Sequence, residues 1–261
     1  MNIVVCLKQV PGTTEVKIDP QTNSLIRQGI QNIINPFDTY ALEEAVRMKE
    51  KSGGKVTVLS MGPPQAEAAL REAISLGADE AILLSDRAFA TADTWATANT
   101  LSKAILKLEK TDIIICGRQT IDGDTGQVGP EMAEMLGFPF VAYVSKIEEI
   151  RDNYLRVTRA IEEGHEVLET TLPAIITVAK EINVPRLPSL RGIMKSKSTK
   201  ITVWGIKELG VDANTVGLAG SSTQVIKIFF PQRVSKAEVL TGDNAQKVDK
   251  LLEKLREAKL L

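Results

Sequence analysis

One loop of the sequence carries most of the residues that can bind a ligand. It runs from position 117 to position 130, between an apolar run typical of a buried strand and the start of a helix. Its four glycines are Gly117, Gly123, Gly126 and Gly129. Glycines let backbone N–H groups approach an anion closely, and a helix N-terminus carries partial positive charge. Arg118 adds a planar cation suited to phosphate oxygens, and Asp122 is suited to ribose hydroxyls. These features predict a nucleotide site.

A simpler interpretation explains part of the same loop. Asp124 would cap the following helix, and Gln127 would complete a capping-box-like pair. That interpretation accounts for Asp124 and Gln127 but for neither the four glycines nor Arg118. The chain contains no G-x-G-x-x-G fingerprint and no Walker A sequence, so the residues leave the class of nucleotide open.

The surrounding pattern predicts the fold that positions this loop. Short apolar runs at 3–7, 56–61, 81–84 and 113–116 alternate with amphipathic helices, the first of which begins at Asn35-Pro36. The alternation predicts an α/β fold, a Rossmann-like, doubly wound, mostly parallel sheet covered on both faces. Ligands bind at the carboxyl ends of such strands. Three further loops, at 8–11, 60–63 and 91–94, therefore belong to the candidate site.

The remaining chain predicts additions to this sheet. Positions 16–18 and 25–26 carry two weak strand patterns, and 148–171 reads as an antiparallel excursion of two strands. Positions 183–200, rich in Pro, Arg, Lys and Ser, read as a long exposed loop. Val248, Leu251, Leu252 and Leu255 form the apolar stripe of a C-terminal helix. We expect a nucleotide-binding domain over 1–232, including the loop at 183–200, and a C-terminal arm over 233–261.

Composition excludes several classes of function. The formal net charge of -1 gives no reason to expect nucleic acid, and no apolar run approaches the ~20 residues of a membrane span. Cys6 and Cys116 form no C-x-x-C motif, and His165 is the only histidine. We therefore expect free thiols, no metal site, no membrane insertion and a cytoplasmic protein.

A longer motif resembles a known family. The stretch VTRAIEEGHEVL at 157–168, followed by PAIIT at 173–177, is similar to the signature of electron-transfer flavoprotein beta subunits. CLKQVP at 6–11, NPFD at 35–38, and Pro185-Arg186 followed by Leu190 and IMK at 193–195 extend the resemblance over essentially the whole chain. It implies a nucleotide-binding subunit that pairs with an FAD-carrying alpha subunit and relays electrons from or to acyl-CoA dehydrogenases and a membrane quinone reductase.

The resemblance also implies interaction surfaces. The C-terminal helix resembles an arm that packs on the alpha subunit. The loop around Leu190 resembles a recognition loop that anchors a partner dehydrogenase, and apolar residues in an exposed loop fit such a role. The expected docking residues are Arg186, Leu187, Leu190, Ile193, Met194 and Lys195. Arg186, Arg191 and Lys195 would act mainly on the rate of encounter and its salt dependence.

The glycine-rich loop resembles the electron-bifurcating type of the family, through GRQ at 117–119 and DGDTGQVGP at 122–130. Gly126 departs from the alanine expected there, a change that we expect to matter little. The resemblance implies that the beta subunit holds FAD. NADH would deliver hydride to it, and electrons would pass to an acyl-CoA dehydrogenase-type flavoprotein and to ferredoxin or flavodoxin. No general acid or base is assigned, and NADH would be oxidised only by the heterodimer.

Two alternatives stay open. One is a plain electron carrier whose beta subunit holds a structural AMP, and the other is a nucleotide-binding regulatory module without a redox role. The expected cofactor-binding residues are Cys6, Lys8, Asn35, Ser60, Met61, Asp93, Thr94, Thr97, Gly117, Arg118, Gln119, Asp122, Gly123, Asp124, Thr125, Gly126, Gln127, Val128 and Gly129.

Overall fold

The computed structural model describes residues 1–12, 17–18, 25–26, 31–227 and 237–261. In chain order, the first elements are β1 (Asn2–Cys6), β2 (Gln9–Pro11), β3 (Lys17–Ile18), β4 (Leu25–Ile26), β5 (Asn32–Ile34), α1 (Pro36–Ser52), β6 (Lys55–Met61), α2 (Glu67–Leu76), β7 (Glu80–Leu84), α3 (Thr94–Leu106), β8 (Ile113–Gly117) and α4 (Val128–Leu136). They are followed by β9 (Phe140–Arg151), β10 (Tyr154–Ile161), β11 (Gly164–Thr171), β12 (Ala174–Val178), α5 (Leu190–Ser198), β13 (Thr202–Trp204), α6 (Ile206–Leu209) and α7 (Asn244–Glu257).

The predicted α/β fold is confirmed. Within the described residues, nine strands form one sheet in the order β11-β10-β9-β12-β8-β1-β6-β7-β13. From β9 to β13 neighbouring strands run parallel. The chain leaves β1 toward β6 and β7 and later returns to the other side of β1 as β8. This reversal of strand order lies between β1 and β8, where a doubly wound sheet opens a crevice at the carboxyl ends of its strands.

Each face of the sheet has its own core. Ile3 and Val5 of β1 point into one cluster, which α1 and α2 cover. Val4 and Cys6 point into the other, which α3 and α4 cover. Since successive residues of a strand face opposite sides, burial on both sides explains the continuous apolar runs of the sequence.

The antiparallel excursion is also present. β10 pairs with β9 on one side and with β11 on the other, antiparallel in both cases. The expected strands at 148–171 correspond to β10, β11 and the end of β9, which continues without a break from the core sheet to Arg151. Leu155 and Val157 of β10 are fully buried, so the excursion packs on the same core as α1. Lys17–Ile18 and Leu25–Ile26 pair as a short ladder, while the remaining residues of that polar stretch lie outside the described residues.

The expectation of one long loop at 183–200 was wrong in part, because residues 190–198 form α5. Ser189 caps this helix by accepting a hydrogen bond from the Gly192 N–H at 3.0 Å. A Cβ at Gly192 would collide with the backbone oxygen of Ser75 in α2, so the two helices lie in close contact. α5 is stabilised by packing on a distant part of the chain, which its Lys- and Ser-rich sequence does not reveal.

The chain divides into two compact units, Met1–Ile226 and Lys227–Leu261. The second contains the expected C-terminal helix, α7, which begins with a capping box between Asp243 and Gln246. Val248, Leu251 and Leu252 of its apolar stripe are exposed. Among the described residues, no helix combines the length and apolar character that crossing a membrane requires.

Candidate nucleotide-binding site

The crevice between β1 and β8 brings together two segments that are far apart in sequence. Lys8 follows β1, and Gly117 ends β8 and begins the glycine-rich loop. The Nζ atom of Lys8 lies 2.7 Å from the Oδ2 atom of Asp122, so an ion pair bridges the two sides. Burial raises the pKa of the Asp122 carboxyl, but the hydrogen bond and charge of Lys8, together with hydrogen bonds from Thr120 and the Asp122 backbone, lower that pKa by more. Asp122 is therefore ionised at neutral pH.

Asn35 fastens the start of α1 to the glycine-rich loop. It occupies the N-cap position, as expected, but its buried side chain makes no capping hydrogen bond. Its Nδ2 atom instead donates to the Gln119 carbonyl at 2.9 Å, and its Oδ1 atom accepts from the Ile121 N–H at 3.1 Å. Asn35 thus determines the position of the loop without needing to contact a ligand itself.

Asp38 connects the two sides of the crevice through hydrogen bonds to the backbone of each side. Its side chain is only 4% exposed, and it accepts hydrogen bonds from the N–H of Lys8, at 2.7 Å, and from the N–H of Gly117. Burial raises the pKa of Asp38 to about 7, although these hydrogen bonds and the charge of Lys8 oppose the shift. A Cβ at position 117 would collide with the Asp38 Oδ1 atom, which explains the glycine there.

The glycine-rich loop has the backbone of an anion-binding nest. Gly126 has a φ of 65° and Asp124 a φ of 56°, both left-handed, whereas Gln127 is right-handed. Alternating handedness turns successive backbone N–H groups toward the same side, where they can bind an anion. The left-handed conformation also explains why glycine suits position 126, because alanine is strained in that conformation. The expectation that this departure from alanine matters little for ligand binding stays a prediction.

The capping interpretation of the loop was wrong. α4 begins after Gln127, and the Gln127 side chain makes no capping hydrogen bond. Asp124 lies in the loop and accepts a hydrogen bond from the side-chain amide of Gln119. The first N–H groups of α4, at Val128 and Gly129, have no acceptor within the helix, so they remain available to a ligand. A Cβ at Gly129 would come within 2.8 Å of the buried Thr177 side chain, so a larger residue at position 129 would have to displace that side chain.

Three buried polar atoms around the crevice have no hydrogen-bond partner within the described part of the chain. They are Arg118 Nε, Ser60 Oγ and Glu131 Oε2. Buried polar groups are nearly always paired, so such atoms point to a ligand or solvent that completes them. The Arg118 guanidinium lies 4.7 Å from the centre of the Phe37 ring, which supports it from one side. A donor on Arg118, an acceptor on Glu131 and a hydroxyl on Ser60 suit a ligand that carries both phosphate and hydroxyl groups.

Glu131 was missed by the sequence analysis. It lies in the first turn of α4, and its Oε1 atom accepts a hydrogen bond of 2.9 Å from the hydroxyl of Thr94 at the start of α3. Burial raises the pKa of Glu131, and the nearby negative charge of Asp93 raises it further. The sequence feature that could have identified Glu131 is its position in the first turn of the helix that follows the glycine-rich loop.

Asp93 is engaged within the protein. One carboxylate oxygen caps α3 by accepting from the Ala96 N–H at 3.0 Å, and the other accepts from the Thr223 N–H at 2.8 Å. Its own N–H donates to the Ser221 hydroxyl at 2.8 Å. These bonds hold residues 221–223 against the start of α3, so Asp93 contributes to the site through helix position.

The other predicted cofactor residues lie in three places. Ser60 and Met61 end β6 beside β1, and Thr94 and Thr97 lie in the first turn of α3. Cys6 is buried and pairs in register with Cys116 on β8, beneath the crevice. Within the described ranges, no three His, Cys, Asp or Glu side chains are arranged to hold a metal ion.

The predicted docking residues belong to a second surface, residues 183–199, which we call the docking segment. Leu187, Leu190 and Met194 project from it and are 88%, 76% and 66% exposed, and Ile193 is less exposed. Arg186 and Lys195 instead pair with other parts of the chain. Arg186 forms ion pairs with Glu43 and Glu50 of α1, and the Lys195 Nζ atom donates to the Ala78 carbonyl at 3.0 Å.

Comparison with known proteins identifies the family. The model of the electron transfer flavoprotein domain matches residues 22–209. The beta subunit of an electron transfer flavoprotein from Thermoanaerobacterium thermosaccharolyticum is 54% identical over 98% of both chains. The chain belongs to the electron transfer flavoprotein beta subunits.

Other relatives carry more specific names. Subunit CarD of the caffeyl-CoA reductase-Etf complex from Acetobacterium woodii is 47% identical over 100% of both chains. Protein FixA from Azotobacter vinelandii is 45% identical over 94% of this chain and 90% of its own length. Membership of the family confirms the resemblance found in the sequence and assigns the chain a role in electron transfer.

Proposed function

We propose that this chain is the FAD-binding beta subunit of an electron-bifurcating electron transfer flavoprotein. The observation that carries the proposal is the unpaired, buried Arg118 Nε atom beside the nest formed around Gly126. A side-chain donor and converging backbone N–H groups are the arrangement that binds the phosphates of a nucleotide.

The residues around the crevice suit different chemical groups of the ligand. Arg118 and the N–H groups of residues 125–129 would hold phosphate oxygens, while Asp122 and Glu131 would accept hydrogen bonds from hydroxyl groups. The Lys8 ammonium, now 2.7 Å from Asp122, is placed to contact a phosphate as well. When bound, FAD supplies the redox chemistry, with NADH as the proposed hydride donor.

FAD is preferred to AMP because of the loop sequence. GRQ at 117–119 and DGDTGQVGP at 122–130 resemble the bifurcating type more closely than the AMP-containing type. The name of the relative CarD, which places it in a complex with a caffeyl-CoA reductase, is consistent with a partner that acts on CoA esters. The AMP-containing electron carrier remains the alternative.

Two surfaces would serve the partners. The exposed stripe of Val248, Leu251 and Leu252 on α7 is suited to packing on the alpha subunit. The exposed leucines of the docking segment are suited to an acyl-CoA dehydrogenase-type flavoprotein, because an aliphatic side chain that enters a pocket is a common interface anchor. Ferredoxin or flavodoxin would take the second electron, and no described surface distinguishes between them.

The test is the cofactor content of the complex purified with its alpha subunit. We expect two FAD and no AMP per heterodimer, measured by absorbance and by chromatography of the released nucleotides. One FAD and one AMP would reject bifurcation and leave the family assignment standing. Absence of flavin would reject the redox role and favour the regulatory module.

A further inference from the structure

The docking segment is fixed to α1 through one buried carboxylate. Glu43 is only 4% exposed, and it accepts hydrogen bonds from the Arg186 Nε atom at 2.8 Å and the Arg186 backbone N–H at 3.1 Å. Arg47, one turn along α1, donates to the same carboxylate at 2.5 Å. Burial raises the pKa of Glu43, but the hydrogen bonds from both arginines lower that pKa by more. Glu43 is therefore ionised at neutral pH and binds Arg186 as a charge-assisted pair.

Further contacts with α1 hold the same stretch. Arg186 extends its Nη1 and Nη2 atoms to Glu50 at 2.6 and 3.0 Å. The Arg47 Nη2 atom donates to the Val184 carbonyl at 3.1 Å, and the Asn183 side-chain amide donates to the Tyr40 carbonyl at 3.0 Å. Residues 183–186 are thus bound to α1 through both side chains and backbone.

The other end of the docking segment is bound to α2 and the turn that follows it. The Arg71 Nη1 atom donates to the Ser196 carbonyl at 2.7 Å, and Lys195 donates to the Ala78 carbonyl. Between these two attachments, Leu187 and Leu190 project outward. An apolar side chain held on a segment anchored at both ends loses less conformational freedom on binding, which favours affinity.

The same helix also reaches the nucleotide site. Asn35 and Asp38 at the start of α1 contact the glycine-rich loop and Lys8, as described above. Glu43 follows Asp38 by five residues, a rise of about 8 Å along the helix. α1 is therefore one rigid element that contacts the crevice at its start and the docking segment along its length.

We propose that Glu43 is a positioning residue that binds Arg186 and so, through α1, holds the docking segment in a fixed position relative to the nucleotide site. The proposal rests on the docking role given to this segment under the proposed function. It also reassigns Arg186, whose charge is neutralised by two carboxylates, from steering a partner to fixing the surface that the partner meets.

The test uses Glu43→Gln in the complex with the alpha subunit. Glutamine keeps the shape of the side chain but removes the charge that binds Arg186. We expect hydrogen–deuterium exchange in the peptide covering 183–189 to become at least threefold faster, while peptides of the glycine-rich loop keep their rates. With the acyl-CoA dehydrogenase-type flavoprotein purified from the same cells, KM should rise roughly threefold to thirtyfold at unchanged kcat, as expected for lost pre-organisation. Diaphorase activity with a small dye and flavin content should stay constant.

Glu80→Gln is the matched control. Glu80 forms an ion pair of 2.5 Å with Lys55, both exposed and outside the docking segment, so the same chemical change should leave exchange and KM unaltered. Unchanged exchange at 183–189 in Glu43→Gln would overturn the proposal. So would a loss of kcat and dye activity equal to the change in KM, because Glu43 would then support the fold.

Two further variants keep the outcome decisive. If Glu43→Gln fails to fold, Glu50→Gln removes the exposed partner of the same Arg186 and should change exchange and KM in the same direction by a smaller factor. Leu190→Ala separates the two proposals. A normal KM in Leu190→Ala would reject docking through this segment, whereas a raised KM there with normal behaviour of Glu43→Gln would reject only the role of Glu43.

Discussion

Asp38 offers a quantitative test of the contacts beneath the crevice. Its pKa is raised from 3.8 to about 7 by burial, so the folded protein favours the neutral carboxyl. The stabilisation from this group is fully present below pH ~4 and is lost as the pH rises through about 7. A shift of about 3 units corresponds to roughly 4 kcal/mol, since each unit is worth about 1.4 kcal/mol.

The variant Asp38→Asn removes this pH dependence. Asparagine cannot ionise, so the stability of the variant relative to the wild type should improve by up to about 4 kcal/mol between pH 4 and pH 7, then remain constant. One hydrogen bond to Lys8 or Gly117 is lost as well, at a cost of about 1–3 kcal/mol that does not depend on pH. The change of the stability difference with pH therefore measures the ionisation of Asp38, and the part of that difference that does not depend on pH measures the lost hydrogen bond.

The assay is the thermal midpoint of the complex with its alpha subunit, at saturating FAD, from pH 4 to pH 9. For a chain of this size, 4 kcal/mol corresponds to a change of about 10 °C. Asp122→Asn is the control. The pKa of the Asp122 carboxyl is lowered, so the stabilisation from its ionised form is lost only as the pH falls below the ordinary pKa of an aspartate. A constant difference between Asp38→Asn and the wild type over pH 4–7, like that expected for the control over pH 5–8, would refute the reasoning.

Four other outcomes follow from the site and the two surfaces. Arg118→Ala should weaken FAD retention by about 1.5–3 kcal/mol in equilibrium dialysis, because a charge-assisted contact is lost; unchanged retention would contradict its assigned role. Gly129→Ala should lower FAD content, because its Cβ would lie 2.8 Å from the Thr177 side chain, and full FAD occupancy would mean that the loop adjusts. Leu190→Ala should reduce affinity for the dehydrogenase roughly fivefold to 150-fold, which is a cost of about 1–3 kcal/mol, with dye activity unchanged; equal loss in both assays would place the effect in the fold or flavin site. Expressed without an alpha subunit, the chain should aggregate because the stripe of α7 is exposed, and a monodisperse monomer with bound FAD on size-exclusion chromatography would argue against this.

The sequence alone determined the α/β framework and the loop that holds the candidate site. Buried parallel strands require continuous apolar runs, and helices carry local start and stop signals, so Asn35-Pro36 marked a helix start that the structure confirms. The glycines of the loop could be recognised from the sequence as well. A left-handed backbone, or a close approach of two parts of the chain, is met by glycine, and the residue type is visible in the sequence.

Only the tertiary structure decided what the polar side chains do. Asn35 bonds to Gln119 across 84 positions, Lys8 to Asp122 across 114, and Arg186 to Glu43 across 143. A side chain that can bind a ligand can equally bind another part of the protein, and the local sequence does not distinguish the two. The partner is set by which strand ends and helix faces the sheet order brings together. For that reason the structure gives Asp93 and Arg186 internal hydrogen-bond partners that the local sequence did not reveal, while their contacts with cofactor and partner stay predictions.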